Sequence, residues 1–95
     1  MANKIKGNVE SVNANGDLIT NISSGDVNGV AGDPSVTVSF GGHQTLGIHA
    51  SDHQEPESTL IAVMGSSGFL EIGIVGMSAS ELLGISAGEA VSIEW

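Results

Sequence analysis

Asn13, Asn15 and Asp17 alternate as the oxygen ligands do in the first half of a calcium-binding loop. A loop of that kind needs a bidentate acid at its twelfth position, where this chain has Ser24. The same residue types bond their own backbone in Asx turns, and that is the reading adopted. His43, His49 and His53, with Asp52, Glu55 and Glu57 nearby, have the types of a histidine–carboxylate metal site. An extended chain would hold His43 and His53 about 33 Å apart, so all three meet only if the segment folds back. His49 and His53 are closer and could share an ion with Glu55; the reading adopted is a solvated loop with titrating histidines, and no metal. Ser51-Asp52-His53 has the letters of a catalytic triad, but adjacent residues do not form a nucleophile–base–orienter chain. Glu71 stands in an apolar run, either facing solvent at a strand end or accepting from buried backbone N–H groups. It reads as structural, so no catalytic residue is expected.

The elements that must position these groups are strands. Lys4 to Val12 alternates, Asn13-Ala14-Asn15-Gly16 supplies a turn that tolerates positive φ, and Asp17 to Ile22 follows as a second strand. Ser23 to Asp33 is polar and glycine-rich and reads as a loop. Ser35 to Phe40 has the cleanest period of two. Further strands are expected over Gln44 to His49, Thr59 to Met64, Phe69 to Val75 and Ala90 to Trp95. Ser78-Ala79-Ser80-Glu81 has the spacing of a capping box and Gly84 that of a helix C′ residue, so a short helix is expected near residues 79–83. The inward set is Val36, Val38 and Phe40 with Leu18, Ile61, Leu70, Ile72, Leu83 and Val91.

Composition narrows the function classes. The 95 residues suit one domain, without cysteine to staple it. Aromatics are 3% against 40% hydrophobic residues, so the core is aliphatic and suited to a pleated surface. Both basic residues, Lys4 and Lys6, lie in the first strand, while all eleven carboxylates follow Gly7. Nucleic-acid binding needs clustered Lys or Arg to displace counterions, and anionic membranes need the same, so neither partner is expected. The amino terminus lacks the apolar stretch of a secretory signal and no run reaches membrane-spanning length, which makes a soluble, cytoplasmic protein the expectation.

Two stretches carry a family resemblance. Val12-Asn13-Ala14-Asn15-Gly16-Asp17-Leu18-Ile19-Thr20-Asn21-Ile22 and Gly65-Ser66-Ser67-Gly68-Phe69-Leu70-Glu71-Ile72-Gly73 each set a glycine turn before a strand. Together with Met77-Ser78-Ala79, Glu81-Leu82-Leu83-Gly84 and Gly88-Glu89-Ala90-Val91, they resemble the carboxy-terminal β-domain of the S-adenosylmethionine hydroxide adenosyltransferases, whose relatives include the fluorinase and chlorinase. Leu18 to Ile22 matches the family's structural half completely. At the ligand-facing half, Asn13 stands for the family's Asp, Asn15 for a Phe that packs on the ligand, Asp17 for an Asn that contacts adenine, and Gly65 for an Asn.

The resemblance implies a seven-stranded Greek-key barrel. The expected fold is therefore all-β, a small seven-stranded Greek-key barrel with one short helix, formed by residues 1–95 as a single domain. It also implies an adenosine-binding wall at Asn13, Asn15, Asp17, Ser66, Ser67 and Phe69, with S-adenosylmethionine or adenosine as ligand and no bound cofactor otherwise. In the family a separate α/β domain carries the Asp, Arg and His of water activation. A non-catalytic, small-ligand-binding or assembly module is therefore expected, not an enzyme on its own. The alternative is a subunit of a split adenosyltransferase completed by a separate α/β chain. Family members are trimers, so a homo-oligomer is expected, with Ile48, Met64, Met77 or Trp95 at its interface. At −9 per chain a trimer would gather 3 × −9 = −27, a repulsion that salt would screen.

Overall fold

The structure is a computed structural model that describes residues 4–27, 35–50, 53–65 and 67–95. Alternation in the sequence becomes strands at β1 (Lys4–Val12), β2 (Leu18–Ser23), β3 (Thr37–Phe40), β4 (His43–Leu46), β5 (His49–Ala50), β6 (Leu60–Met64), β7 (Phe69–Ile74) and β8 (Ala90–Glu94). They form a sheet in the order β4-β3-β8-β1-β2-β7-β6-β5. All neighbours are antiparallel except β5 and β6. The long β1 belongs to both halves. It pairs with β8 through Lys4–Asn8 and with β2 through Val9–Val12, with an irregularity between Val9 and Ser11. A bulge adds local twist, and the sheet curls so that β4 comes near β6.

The fold is all-β, as expected, but the seven-stranded Greek-key barrel gives way to a curled, open sheet of eight described strands. The added strand arises where Gln44 to His49 was expected to run unbroken. Gly47 takes a φ of 78°, a left-handed conformation that ends β4 and starts a separate β5. Two short helices replace the single one expected. Within the expected loop after β2, Ser24–Val27 form α1, where Asp26 accepts from the Ser23 amide and hydroxyl. The rest of that loop, residues 28–34, lies outside the described residues. The second helix, α2 (Ala79–Leu83), sits where the capping pattern puts it. Ser78 Oγ accepts from the Glu81 amide, and Gly84 takes a φ of 68° while its amide donates to the Ser80 carbonyl.

One face of the sheet carries the core. Leu18 faces Ile72 across β2 and β7, Ala62 adjoins Ile72 from β6, and Val38 and Phe40 face Ile93 and Val91. All are buried, as are Val36 and Leu70, while Leu83 is partly buried against them. Ile61 is buried too, but the pairing Ile61↔Gly73 puts it on the opposite face, outside the core cluster. Residues one apart on a strand point to opposite faces, so Ala62 takes the inward place.

Thr20, with Thr45, is one of two buried polar side chains among the described residues. Its hydroxyl donates to the Leu70 carbonyl at 2.7 Å and accepts from the Ile22 amide at 3.2 Å. Thr20→Val keeps the shape but removes both bonds within a buried site. It is expected to cost about 1–3 kcal/mol by urea unfolding; an unchanged midpoint would show that neither bond contributes.

Candidate functional site

The face of β2, β7 and β6 that turns away from the core holds a cleft of about 670 Å³. Its floor follows from strand alternation. Glu71, Gly73 and Val75 share that face of the β7 segment, and Ile61, Val63 and Gly65 share it on the β6 segment. A glycine within a strand leaves a gap where its neighbours have side chains, and it often marks a place where another group approaches closely. At Gly73 that group is Asp17: a β-carbon there would lie 2.6 Å from Asp17 Oδ1. At Gly65 it is the Glu71 carboxylate, which occupies the place of the missing side chain.

Three turns fix the walls. In the first, Asn13 Oδ1 accepts from the amides of Asn15 and Asp17 at 3.0 and 2.9 Å, and Asn13 Nδ2 donates to Asp17 Oδ2 at 3.2 Å. The Asx-turn reading of these residues therefore describes their bonding. In the second, Ser67 Oγ donates to Glu71 Oε2 at 2.8 Å and accepts from the Phe69 amide. The third joins β7 to α2 through Gly76, Met77 and Ser78, all on the cleft wall. Gly16 binds the first turn to the third. Its carbonyl accepts from the Ser80 amide at 2.9 Å, and its missing β-carbon makes room for Ser78 Oγ.

His53 closes the remaining side. Its Nδ1 accepts from the Glu55 amide at 3.2 Å. Its ring meets that of His49 edge-on at 6.1 Å, whereas His43 packs on Phe40 at 5.9 Å. Among the described residues, no three metal-ligating side chains converge. Asp52 and Ser51 lie outside the described residues.

Of the residues implied by the resemblance, Asn15 and Asp17 line the cleft. Asn13 stands behind them, committed to its turn, and Ser67 reaches the cleft through Glu71. Phe69 is 39% exposed and is not among the lining residues, and Ser66 lies outside the described residues. The sequence reading passed over Glu71 as structural and did not single out Gly73 or Ser78 as site residues. The available signal was the Glu71, Gly73, Val75 alternation opposite Leu70, Ile72 and Ile74. Of the expected interface residues, Ile48 is buried inside the chain, Met64 and Trp95 are partly buried against the core, and Met77 is exposed at the cleft rim.

The two glycine-turn motifs, far apart in sequence, thus meet at one cleft. Residues 7–92 match the SAM hydroxide adenosyltransferase C-terminal domain family. The chain belongs to this family. Its fold is shared with an uncharacterized conserved protein from Thermotoga maritima, at 26% identity and a TM-score of 0.76 over 95% of this chain and 35% of that one. A conserved hypothetical protein from Thermus thermophilus is alike in fold, at 24% identity and a TM-score of 0.69 over 93% of this chain and 32% of that one. The chain therefore spans about a third of the length of these solved relatives. No curated protein matches it. In this SAM hydroxide adenosyltransferase C-terminal domain, no helix among the described residues is long and apolar enough to cross a membrane.

Proposed function

We propose that this domain is a small-ligand-binding module whose site is the cleft on the outer face of β2, β7 and β6, and that an adenosine moiety is the ligand to test first. The observation that carries this reading is the convergence of Asn15 and Asp17 from one family motif with Gly65 and Glu71 from the other around a single cleft. Ile61, Val63, Val75 and Met77 offer apolar surface to a ring, while Asp17, Glu71 and Ser78 offer polar groups to its edge. A thermal-shift screen with adenosine, methionine, S-adenosylmethionine and divalent metal salts tests the reading. A ligand at 100 times its Kd stabilises the fold by about 2.7 kcal/mol, a shift of several degrees in Tm. Silence towards every adenosine compound would remove adenosine as the ligand.

On its own the chain is proposed to be non-catalytic: it has no arginine, and its cleft wall carries no Lys. Purified protein should release no adenosine from S-adenosylmethionine beyond its own molar amount. A second reading, a subunit completed by a separate α/β chain, is favoured by the extra length of the solved relatives. Met77 and Leu82, 47% and 65% exposed beside the cleft, also support it as an apolar rim for a partner. Co-purification with such a chain and appearance of hydrolysis only in the mixture would establish it. A homo-oligomer, possible in either case, is tested by light scattering from low to high salt, where a monomer mass throughout would end the idea.

A further inference from the structure

The cleft has a sign as well as a shape. Its floor is low at Gly73, which has no side chain and is met there by the end of the Asp17 side chain. Among the described residues two carboxylates border it. Asp17 Oδ1 lies over Gly73, while Asp17 Oδ2 takes the Asn13 amide donor. The Glu71 carboxylate lies over Gly65, and its Oε2 takes the Ser67 hydroxyl. Neither Asp17 Oδ1 nor Glu71 Oε1 receives a hydrogen bond from a described residue, so each keeps an acceptor for something in the cleft. Among the described residues no Lys answers them. Lys4 pairs with Glu94 at 3.8 Å, and Lys6 stands opposite Ser92 in the β1–β8 ladder. Among the described lining residues His53 is the third titratable group, and its Nδ1 accepts from the Glu55 amide.

We propose that this cleft selects protonated amines: the ammonium group sits against Asp17 or Glu71, and the apolar body lies on Ile61, Val63 and Val75. The proposal rests on the ligand-site reading above and adds the charge class of the ligand. Fixed charges of one sign in a partly enclosed cleft raise the local concentration of the opposite ion and repel anions. A charge-assisted hydrogen bond is also roughly twice as strong as a neutral one. A metal ion is a poorer fit, because among the described residues no three metal-ligating side chains gather to hold one, and the apolar wall has no use for an ion without a body.

Calorimetric titration of the full chain with two matched trios tests this at neutral pH and constant ionic strength. The first trio is adenosine, its primary-amine analogue at the ribose terminal carbon, and adenosine monophosphate. The second, free of adenine, is tyramine, tyrosol and hydroxyphenylacetate. The expected order is amine, then neutral compound, then anion, with about a tenfold step between amine and neutral compound. In the double variant Asp17→Asn/Glu71→Gln, checked for native circular dichroism, the amine and the neutral compound should bind with equal affinity, whatever the absolute value. A neutral compound that binds as tightly as its amine, or an amine preference that survives the double variant, overturns the selection and leaves the ligand site standing. Amine preference confined to the tyramine trio keeps the selection and removes adenosine as ligand. Binding by no member of either trio overturns both.

Discussion

Replacing Gly16 with alanine is expected to lower the unfolding free energy by about 2–4 kcal/mol. Gly16 has a φ of 85°, in the left-handed region that side chains with a β-carbon rarely adopt. That conformation alone costs about 1–3 kcal/mol for a non-glycine residue. The added methyl would also fall on the Ser78 hydroxyl, with the Ser78 β-carbon 2.5 Å and its α-carbon 2.7 Å away. Because α2 docks here through Ser80 N–H to the Gly16 carbonyl at 2.9 Å, relief requires the helix to move away from the turn. Ser78→Gly in the same background should restore part of the loss, so the double variant is less destabilised than the sum of the two single ones. Urea unfolding reads both effects. A Gly16→Ala protein as stable as the parent would show that the turn and helix are not coupled through this contact.

Ile72→Ala should cost about 2–5 kcal/mol, the range for removing a large aliphatic side chain from a packed interior. Ile72 is fully buried, with Leu18 and Ala62 as its cross-strand neighbours. Its loss leaves a cavity at the centre of the β2-β7-β6 half. Neighbouring strands are hydrogen-bonded on both sides, which limits how far the site can collapse. Domains of this size have a total stability of about 5–15 kcal/mol, so a sizeable fraction is at stake, and Tm should fall by about 4–8 °C per kcal/mol. Leu82→Ala is the contrast: the side chain is 65% exposed, and a change within about 0.5 kcal/mol is expected. Equal losses at the two positions would contradict the assignment of the core face.

The strands were legible because one face of each is aliphatic: Val36, Val38 and Phe40, or Leu70 and Ile72, declare a period of two without help from the rest of the chain. Helix α2 was legible because its caps are local, with Ser78 at one end and Gly84 at the other. The division at Gly47 was not, since glycine is also tolerated within a strand and nothing nearby marks its positive φ. Ile61 misled for a different reason. In the apolar run from Leu60 to Met64 both faces are hydrophobic, so alternation does not say which one meets the core. The cleft was the least legible feature. It is assembled from Asp17, Ile61, Val63, Glu71 and Gly73, which become neighbours only through the β2–β7 and β7–β6 pairings. The family resemblance drew attention to the two turns, and strand register supplies the floor between them.

The central claim is that the outer face of β2, β7 and β6 is a ligand site whose floor at residue 73, a glycine, carries only the end of the Asp17 side chain. Gly73→Leu tests it most directly, since a strand position accepts leucine and the first atom met is the end of the Asp17 side chain. The measurement is amide chemical-shift mapping of the isotope-labelled chain during titration with the tightest ligand from the screen. The account predicts shifts concentrated at Asp17, Gly65, Glu71, Gly73 and Ser78 in the parent, and loss of at least tenfold in affinity in Gly73→Leu, about 1.4 kcal/mol or more, with the rest of the spectrum native. Shifts centred on β3 and β4, or undiminished affinity in a folded Gly73→Leu protein, would contradict it.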